Sequence, residues 1–219
     1  MKREIIVTND GSNSLYIPEM DETYHSVHGA IQEAKHVFIE NGLMLFNKPD
    51  LRVFEVGFGT GLNAFLSEQY SFQNKIKINY HSIEAFPVEI ELINKLNYND
   101  LIEYNSLIFN TIHNLNWEEE SVVSETFKLK KIEAKIQEFE VETIAFDIVF
   151  FDAFGPRAQG EMWSVLVLKK MYGCLISTGK LVTYCAQGQF KRDLKSIGFV
   201  VKNVPGPPGK REMTIATKP

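Results

Sequence analysis

The most apolar stretch of the chain is Ile144–Phe151 (IAFDIVFF). It does not alternate, so it predicts a fully buried central strand. A second apolar run, Leu51–Val56, stops at Gly57-Phe58-Gly59-Thr60-Gly61. Leu62, Phe65 and Leu66 then recur at helical spacing, to about Tyr70. Strand, glycine-rich turn and helix form the opening unit of a nucleotide-binding α/β fold. Lys77–Glu84 (KINYHSIE) reads as the next strand. Pro87 is expected to start a helix through Leu96, since proline is tolerated in a first turn. Residues 98–125 predict one short helix anchored by Trp117, and the acidic run Glu118–Glu120 predicts a solvated loop. Phe127, Leu129, Lys131 and Glu133 share one alternating phase, predicting a third strand and a turn over Phe127–Phe139. The pattern then gives a helix (Glu161–Met171), a strand (Gly179–Tyr184) and a short basic helix (Phe190–Ile197). Strands at Phe199–Val204 and Glu212–Thr217 suit an antiparallel hairpin closing the sheet.

Ahead of this unit, Ile5–Val7 and Leu15–Ile17 flank the turn signal Asn9-Asp10-Gly11 and predict a β-hairpin. Ala30, Ala34, Val37 and Phe38 then recur at helical spacing up to Asn41-Gly42, and Leu43–Phe46 reads as a short continuation before Pro49. Residues 1–48 are therefore expected to be an extension packed on a core of residues 49–219. No repeat or linker divides the chain, and the expected architecture is a mostly parallel sheet with helices on both faces.

Composition narrows the setting. With 219 residues and 44% hydrophobic residues, the chain suits one globular domain. No apolar run reaches the ~18 residues of a membrane span. The start, MKREIIVTNDG, is too polar for a signal peptide. Cys174 and Cys185 are too few and too far apart for a metal site or disulfide framework. The expectation is a cytoplasmic protein with no membrane partner and no metal. A net charge of -5 argues against nonspecific nucleic-acid binding and against DNA as a partner, but not against a local basic patch. Lys191, Arg192 and Lys195 lie on one predicted helix, and Lys202, Lys210 and Arg211 on neighbouring elements. Such residues commonly form a solvated face; phosphate contact is the functional alternative.

The spacing at residues 57–61 is Gly-x-Gly-x-Gly, with Glu55 two positions before the first glycine. It is not the G-x-G-x-x-G of dinucleotide enzymes, and the absence of a following Gly-Lys-Ser/Thr excludes a P-loop. This E-x-G-x-G-x-G at the end of a strand resembles the pattern of S-adenosylmethionine (SAM) methyltransferases. Glu84 closes the second strand roughly 20–25 residues after the turn, where a carboxylate can accept two hydrogen bonds from a ribose diol. Asp152 ends the central strand. Carboxyl ends of parallel strands face the ligand crevice, so Asp152 is the residue expected to meet an acceptor substrate. His25 and His28, three apart with no third ligand nearby, read as solvated-loop or substrate-contact residues rather than metal ligands.

The motifs together are similar to the methyltransferase domains of bacterial tRNA 5-methylaminomethyl-2-thiouridine biosynthesis proteins. The likeness rests on Tyr24, Ser26, Gly29, Glu33, Val37 and Phe38, on GFGTGLN (57–63) and on SIEAFP (82–87). FDAFGP (151–156) with Met162-Trp163, and GKREM (209–213), complete it. The resemblance implies a class I, Rossmann-like methyltransferase with SAM as donor. Its acceptor would be the 5-aminomethyl group of the wobble uridine in certain tRNAs. By position, Glu55, Gly57, Gly59, Thr60 and Gly61 would line the methionine end of SAM, and Glu84 would hold its ribose. Phe58, Asn63 and Ala85, in the same motifs, count with the cofactor contacts. Asp152, Phe154 and Pro156 would line the acceptor pocket, with Tyr24, Ser26, Lys210 and Arg211 as further substrate contacts. Two-domain members carry an FAD-dependent oxidase that makes the amine. The sequence shows no such domain, so the resemblance implies no FAD and a separate upstream enzyme supplying the aminomethyl group. Where the family places an acid for the adenine amine, this sequence has Lys135, with Glu133 close by. Lysine only donates, so that contact would fall to backbone or another side chain.

Methyl transfer to an amine needs a neutral lone pair and in-line approach. Asp152 is expected to orient the amine more than to abstract a proton, and Phe154 and Tyr24 to offer aromatic faces or to pack in the core. Two other readings share the fold. One is a small-molecule N-methyltransferase or aminopropyltransferase; the other is a SAM-binding protein without catalysis.

Overall fold

The computed structural model describes residues 1–143 and 145–219. Strands β1 (Glu4–Val7), β2 (Asn13–Ile17) and β3 (Glu22–Thr23) form a small antiparallel sheet, which contains the expected hairpin. Helix α1 (Ala30–Ala34) runs on as π-helical turns over Lys35–Glu40, and a 3-10 turn follows at Leu43–Leu45. The glycine turn joins β4 (Asp50–Val56) to α2 (Leu62–Asn74), ahead of β5 (Lys77–Glu84). Three short helices, α3 (Ile90–Ile93), α4 (Tyr98–Leu101) and α5 (Ser106–Asn114), lead to β6 (Glu120–Ser124) and β7 (Phe127–Glu133). The chain closes through β8 (Phe146–Phe151), α6 (Val165–Cys174), β9 (Leu175–Thr183), α7 (Gly188–Ile197), β10 (Val200–Pro205) and β11 (Glu212–Thr217). Ile144, the first residue of the expected central strand, lies outside the described residues.

The main sheet has the order β10-β11-β9-β8-β4-β5-β7-β6. β7, β5, β4, β8 and β9 are parallel, while β11 runs antiparallel to both β9 and β10, and β6 to β7. Successive side chains of a strand face opposite ways, and the two cores follow that rule. Val53, Ile148 and Phe150 enter the core shared with α1, α2 and α5. Phe54, Val149 and Phe151 enter the one shared with α6 and α7. Every residue of β8 is buried, as its unbroken apolar run requires of a strand covered on both faces. Phe150 packs on Phe38 at 4.9 Å between ring centroids; cutting such a ring to alanine costs about 3–5 kcal/mol. Leu15 of the small sheet belongs to the first of these cores.

Tertiary contacts overturn four local expectations. The helix expected from Pro87 is only Ile90–Ile93, with Glu89 extended at ψ 136. The Phe86 carbonyl and Glu89 carboxylate bind the Arg3 guanidinium at 2.6 and 2.7 Å, holding the segment out of helix. Residues 98–125 hold two helices rather than one. The acidic run is not simply a loop, because Glu120 begins the edge strand β6, paired with Lys128 at 3.0 Å. The helix expected from Glu161 opens as a 3-10 turn over Gly160–Trp163, and α6 starts after Ser164, whose hydroxyl accepts from the Val167 amide.

Candidate active site

The carboxyl ends of β4, β5, β7 and β8 stop in line, and backbone hydrogen bonds carry the alignment into the loops beyond. Gly57 N–H donates to Ile83 at 2.9 Å, Asp152 N–H to Val56 at 3.0 Å, and Ala134 N–H to Glu84 at 3.1 Å. Above these ends lies a cavity of ≈ 370 Å³, within the roughly 300–1,000 Å³ of small-molecule sites.

The glycine turn forms its floor. Gly57 has φ 96, and a Cβ there would lie 2.6 Å from the Asp152 carbonyl oxygen, so no larger residue fits beside β8. Gly61 has φ 71, and a Cβ there would lie 2.7 Å from the His113 ring. His113 supports the turn from below, with Nε2 3.1 Å from the Thr60 carbonyl. Burial holds this imidazole neutral, pushing its pKa down to about 3; its N–H donates, since a carbonyl only accepts. Glu84 accepts from the Gly59 amide at 3.1 Å and the Phe86 amide at 2.9 Å. Each carboxylate oxygen keeps a second lone pair for a ligand. Gly57, Phe58, Gly59, Thr60, Asn63, Glu84 and Ala85 all line the cavity. A bare-backbone turn at a helix start, next to a carboxylate, fits a nucleoside with an amino-acid tail.

Two residues expected on that side lie elsewhere. Gly61 is not a lining residue; it serves the turn's conformation and the contact with His113. Glu55 sits behind the wall, fully buried, with Ser82 Oγ donating to it at 2.6 Å. Burial raises its pKa to about 8 against the opposing contacts of Ser82, Asn63 and Tyr80, with the Asp152 charge adding to the rise. Asn63 links this buried carboxyl to the cavity, its Nδ2 donating to Asp152 Oδ2 at 2.8 Å. Asp152 has its pKa raised to about 7, first by burial and then by the Glu33 charge, with Asn63 and Lys210 opposing.

The side expected to take the acceptor is walled by Tyr24, Ser26, Glu33, Asp152, Phe154, Tyr184 and Lys210. Tyr24 and Phe154 meet edge to face at 5.0 Å. The Tyr24 hydroxyl accepts from Arg3 Nε at 2.8 Å, which fastens the segment ahead of β1, whose Met1 lines the cavity. The segment after β8 is fixed by Trp163 Nε1, donating to the Phe154 carbonyl at 2.8 Å, and by the Tyr184 hydroxyl, donating to Ala153 at 2.8 Å. Pro156 and Arg211 do not reach the cavity. They line an adjoining open groove with Arg157 and Gln187, which shares Glu22, Gly155, Tyr184 and Lys210 with it. The basic residues lie toward the β10–β11 edge, but two are already paired: Lys191 with Glu212 at 3.5 Å and Lys210 with Glu33 at 2.5 Å.

On the side where the resemblance places adenine, Ala134, Lys135, Ile136 and Gln137 line the cavity and Glu133 does not. Gln137 donates to the Met162 sulfur at 3.2 Å, which leaves its carbonyl as an acceptor. His25 lines the cavity but is buried rather than part of a solvated loop, with Nδ1 3.1 Å from Ser14 Oγ and Nε2 3.4 Å from Thr60 Oγ1. Burial lowers its pKa to about 4. Among the described residues no three His, Cys, Asp or Glu side chains gather as metal ligands, and no helix is long and apolar enough to cross a membrane.

Sequence spacing gave no sign of Arg3, His113, Gln137 or Tyr184 at this site. Glu33 left a faint one, as a carboxylate among Ala30, Ala34 and Val37 on a helix face that ought to be apolar.

Residues 95–219 match a family model described as S-adenosyl-L-methionine-dependent methyltransferase. The chain is 31% identical to the tRNA 5-methylaminomethyl-2-thiouridine biosynthesis bifunctional protein MnmC of Cupriavidus metallidurans, over 97% of this chain and 33% of that protein. It is 26% identical to the protein of the same description from Leptospira interrogans, over 91% and 33%. The chain thus spans about a third of the length of these curated relatives. The crystal structure of MNMC2 from Aquifex aeolicus superposes with a TM-score of 0.84 at 25% identity, covering 100% of this chain and 71% of that one. Spermidine synthase from Thermotoga maritima shares the fold, with a TM-score of 0.55 at 14% identity over 95% and 69%.

Proposed function

Since the chain belongs to the S-adenosyl-L-methionine-dependent methyltransferase family, we propose that it methylates the 5-aminomethyl group of a wobble uridine in tRNA. One observation carries this reading. The glycine turn and Asp152 face a single cavity, joined by the Asn63–Asp152 hydrogen bond, so donor and amine would meet at adjacent strand ends. The relatives named for 5-methylaminomethyl-2-thiouridine biosynthesis supply the substrate class.

SAM, when bound, supplies a methyl group already activated on a sulfonium sulfur. Gly57, Phe58, Gly59, Thr60, Asn63 and Ala85 would hold its amino-acid tail and ribose against the turn, with Glu84 accepting from the ribose hydroxyls. The adenine amine would donate to the Gln137 carbonyl or to backbone of residues 134–136. Asp152 would accept an N–H of the substrate amine and turn its lone pair toward the donor. With its pKa near neutrality, Asp152 can also take up a proton as the nitrogen gains positive charge. Tyr24 and Phe154 would face the cation and keep water out. The adjoining groove would carry the neighbouring nucleotides, with Pro156 under a sugar and the exposed Arg157 and Arg211 on phosphates. The enzyme would work in the cytoplasm, after the step that makes the amine.

The test is transfer of labelled methyl from SAM to tRNA lacking the terminal methyl, with and without the 2-thio group. Incorporation at the wobble uridine is expected. SAM binding without incorporation into either tRNA refutes the tRNA reading, and label on free amines instead would favour a small-molecule methyltransferase.

A further inference from the structure

The acceptor side of the cavity carries the carboxylates Glu22, Glu33 and Asp152, and one side-chain cation among the described residues, Lys210. (Lys135 lines the opposite, adenine side.) Lys210 is held from several directions. Its Nζ donates to Glu33 Oε1 at 2.5 Å and stands 3.8 Å from the centroid of the Tyr184 ring. Glu33 is itself fixed, because its other oxygen accepts from the Ser26 amide at 2.7 Å. The preceding Gly209 has φ 83 and packs so closely on His28 that a Cβ there would collide with the ring. An ion pair this buried costs desolvation that two packed apolar side chains would not. The ammonium has three N–H donors, and the Glu33 carboxylate and Tyr184 ring occupy two directions. The side chain keeps 33% of its accessibility, which leaves a donor for the cavity.

Given the reading above, on which this inference rests, the acceptor amine meets Asp152. On a pyrimidine ring the carbon bearing the aminomethyl group is flanked by position 4. In a uracil that position carries a carbonyl, which only accepts; in a cytosine it carries an amino group, which only donates. Asp152 and Lys210 line one cavity, and the Lys210 charge acts on Asp152, so the group at position 4 would be presented to the ammonium when the amine reaches the carboxylate. We infer that Lys210 is a specificity-determining residue that donates a hydrogen bond to the 4-carbonyl of the acceptor pyrimidine, selecting uridine over cytidine. A pocket built to hydrogen-bond one ring group rejects its donor counterpart strongly, because both the lysine and the amino group would be left facing a donor.

The test uses anticodon stem-loop RNAs bearing 5-aminomethyluridine or 5-aminomethylcytidine at the wobble position, with labelled SAM. kcat/KM is measured for wild type, K210M, E33Q and the double variant E33Q/K210M. The double variant removes the pair without leaving an unpaired buried charge. Wild type is expected to favour the uridine RNA by about a hundredfold. Both lysine variants should lose about 10–100-fold on the uridine RNA and stay within about threefold on the cytidine RNA, so the preference collapses. E33Q should keep the preference. An unchanged preference in both lysine variants, or an equal fall on both RNAs, overturns the inference and leaves the tRNA reading standing. No transfer by wild type to the uridine RNA removes both.

Discussion

Glu55 offers the sharpest test of how this site is built. It stands in the cofactor motif, yet its carboxyl is fully buried behind the cavity, with Oε1, Asn63 Oδ1 and the Tyr80 hydroxyl all lacking partners. A proton on Glu55 would let it donate to Asn63 Oδ1, which only accepts, and this agrees with the burial-driven rise of its pKa to about 8. The perturbation is Glu55→Gln, a neutral side chain of nearly the same shape. In the unfolded chain the carboxyl ionises near its ordinary 4.5, whereas in the folded protein it keeps its proton to about 8. Its contribution to stability is therefore fully present below pH 4.5 and is lost as pH rises through about 8. The slope is about 1.4 kcal/mol per pH unit inside that window, so wild type loses about 2–3 kcal/mol from this group between pH 6 and pH 9. The glutamine variant loses none of it. Urea denaturation of the SAM-free proteins at pH 6 and pH 9 measures the difference. Contributions from Asp152, raised in the same sense, and from buried Lys131, lowered to about 8, largely cancel between variant and wild type. The variant should gain about 2–3 kcal/mol on wild type over that range, while its Kd for SAM stays within about threefold, since Glu55 does not line the cavity. A pH-independent stability difference would refute the protonated state. A tenfold loss of SAM affinity would show that Glu55 reaches the ligand after all.

The other expectations are simpler. Asp152→Asn should keep the contact with Asn63 and SAM binding but lower kcat about 10²–10⁴-fold, measured by methyl incorporation. In wild type, kcat/KM should rise with pH through about 7 as Asp152 becomes a carboxylate, and a flat profile from pH 6 to 8 would count against its taking the proton. Gly57→Ala should destabilise the protein by about 1–3 kcal/mol and abolish SAM binding, read by calorimetry, because a Cβ at φ 96 meets the Asp152 carbonyl. Arg3→Ala should free β1 from Tyr24, Phe86 and Glu89, weakening SAM several-fold and raising amide exchange over residues 1–17, with kcat at saturation less affected.

Much of the main sheet was legible in the chain because its signals are local. Unbroken apolar runs marked β4 and β8, since strands covered on both faces have no polar side to show. Positive backbone angles demanded glycine at residues 57 and 61, so the turn announced itself, and Glu84 and Asp152 were legible as acids at strand ends. What failed to show was whatever depended on partners far along the chain. The helix expected at Pro87 is curtailed by Arg3, 86 residues from Glu89. Lys210 looked like a surface cation for phosphate, and only folding brings it to Glu33, 177 residues away, at the wall of the cavity. Glu55 sits in the motif but turns from the cavity, because strand alternation aims it at Ser82 on the neighbouring strand. The order of residues thus determined which backbone could form a nucleotide cradle and where its acids would stand. Tertiary structure alone decided which charges face the cavity and which are buried or paired, because protonation and pairing depend on desolvation and on neighbours that sequence distance does not encode.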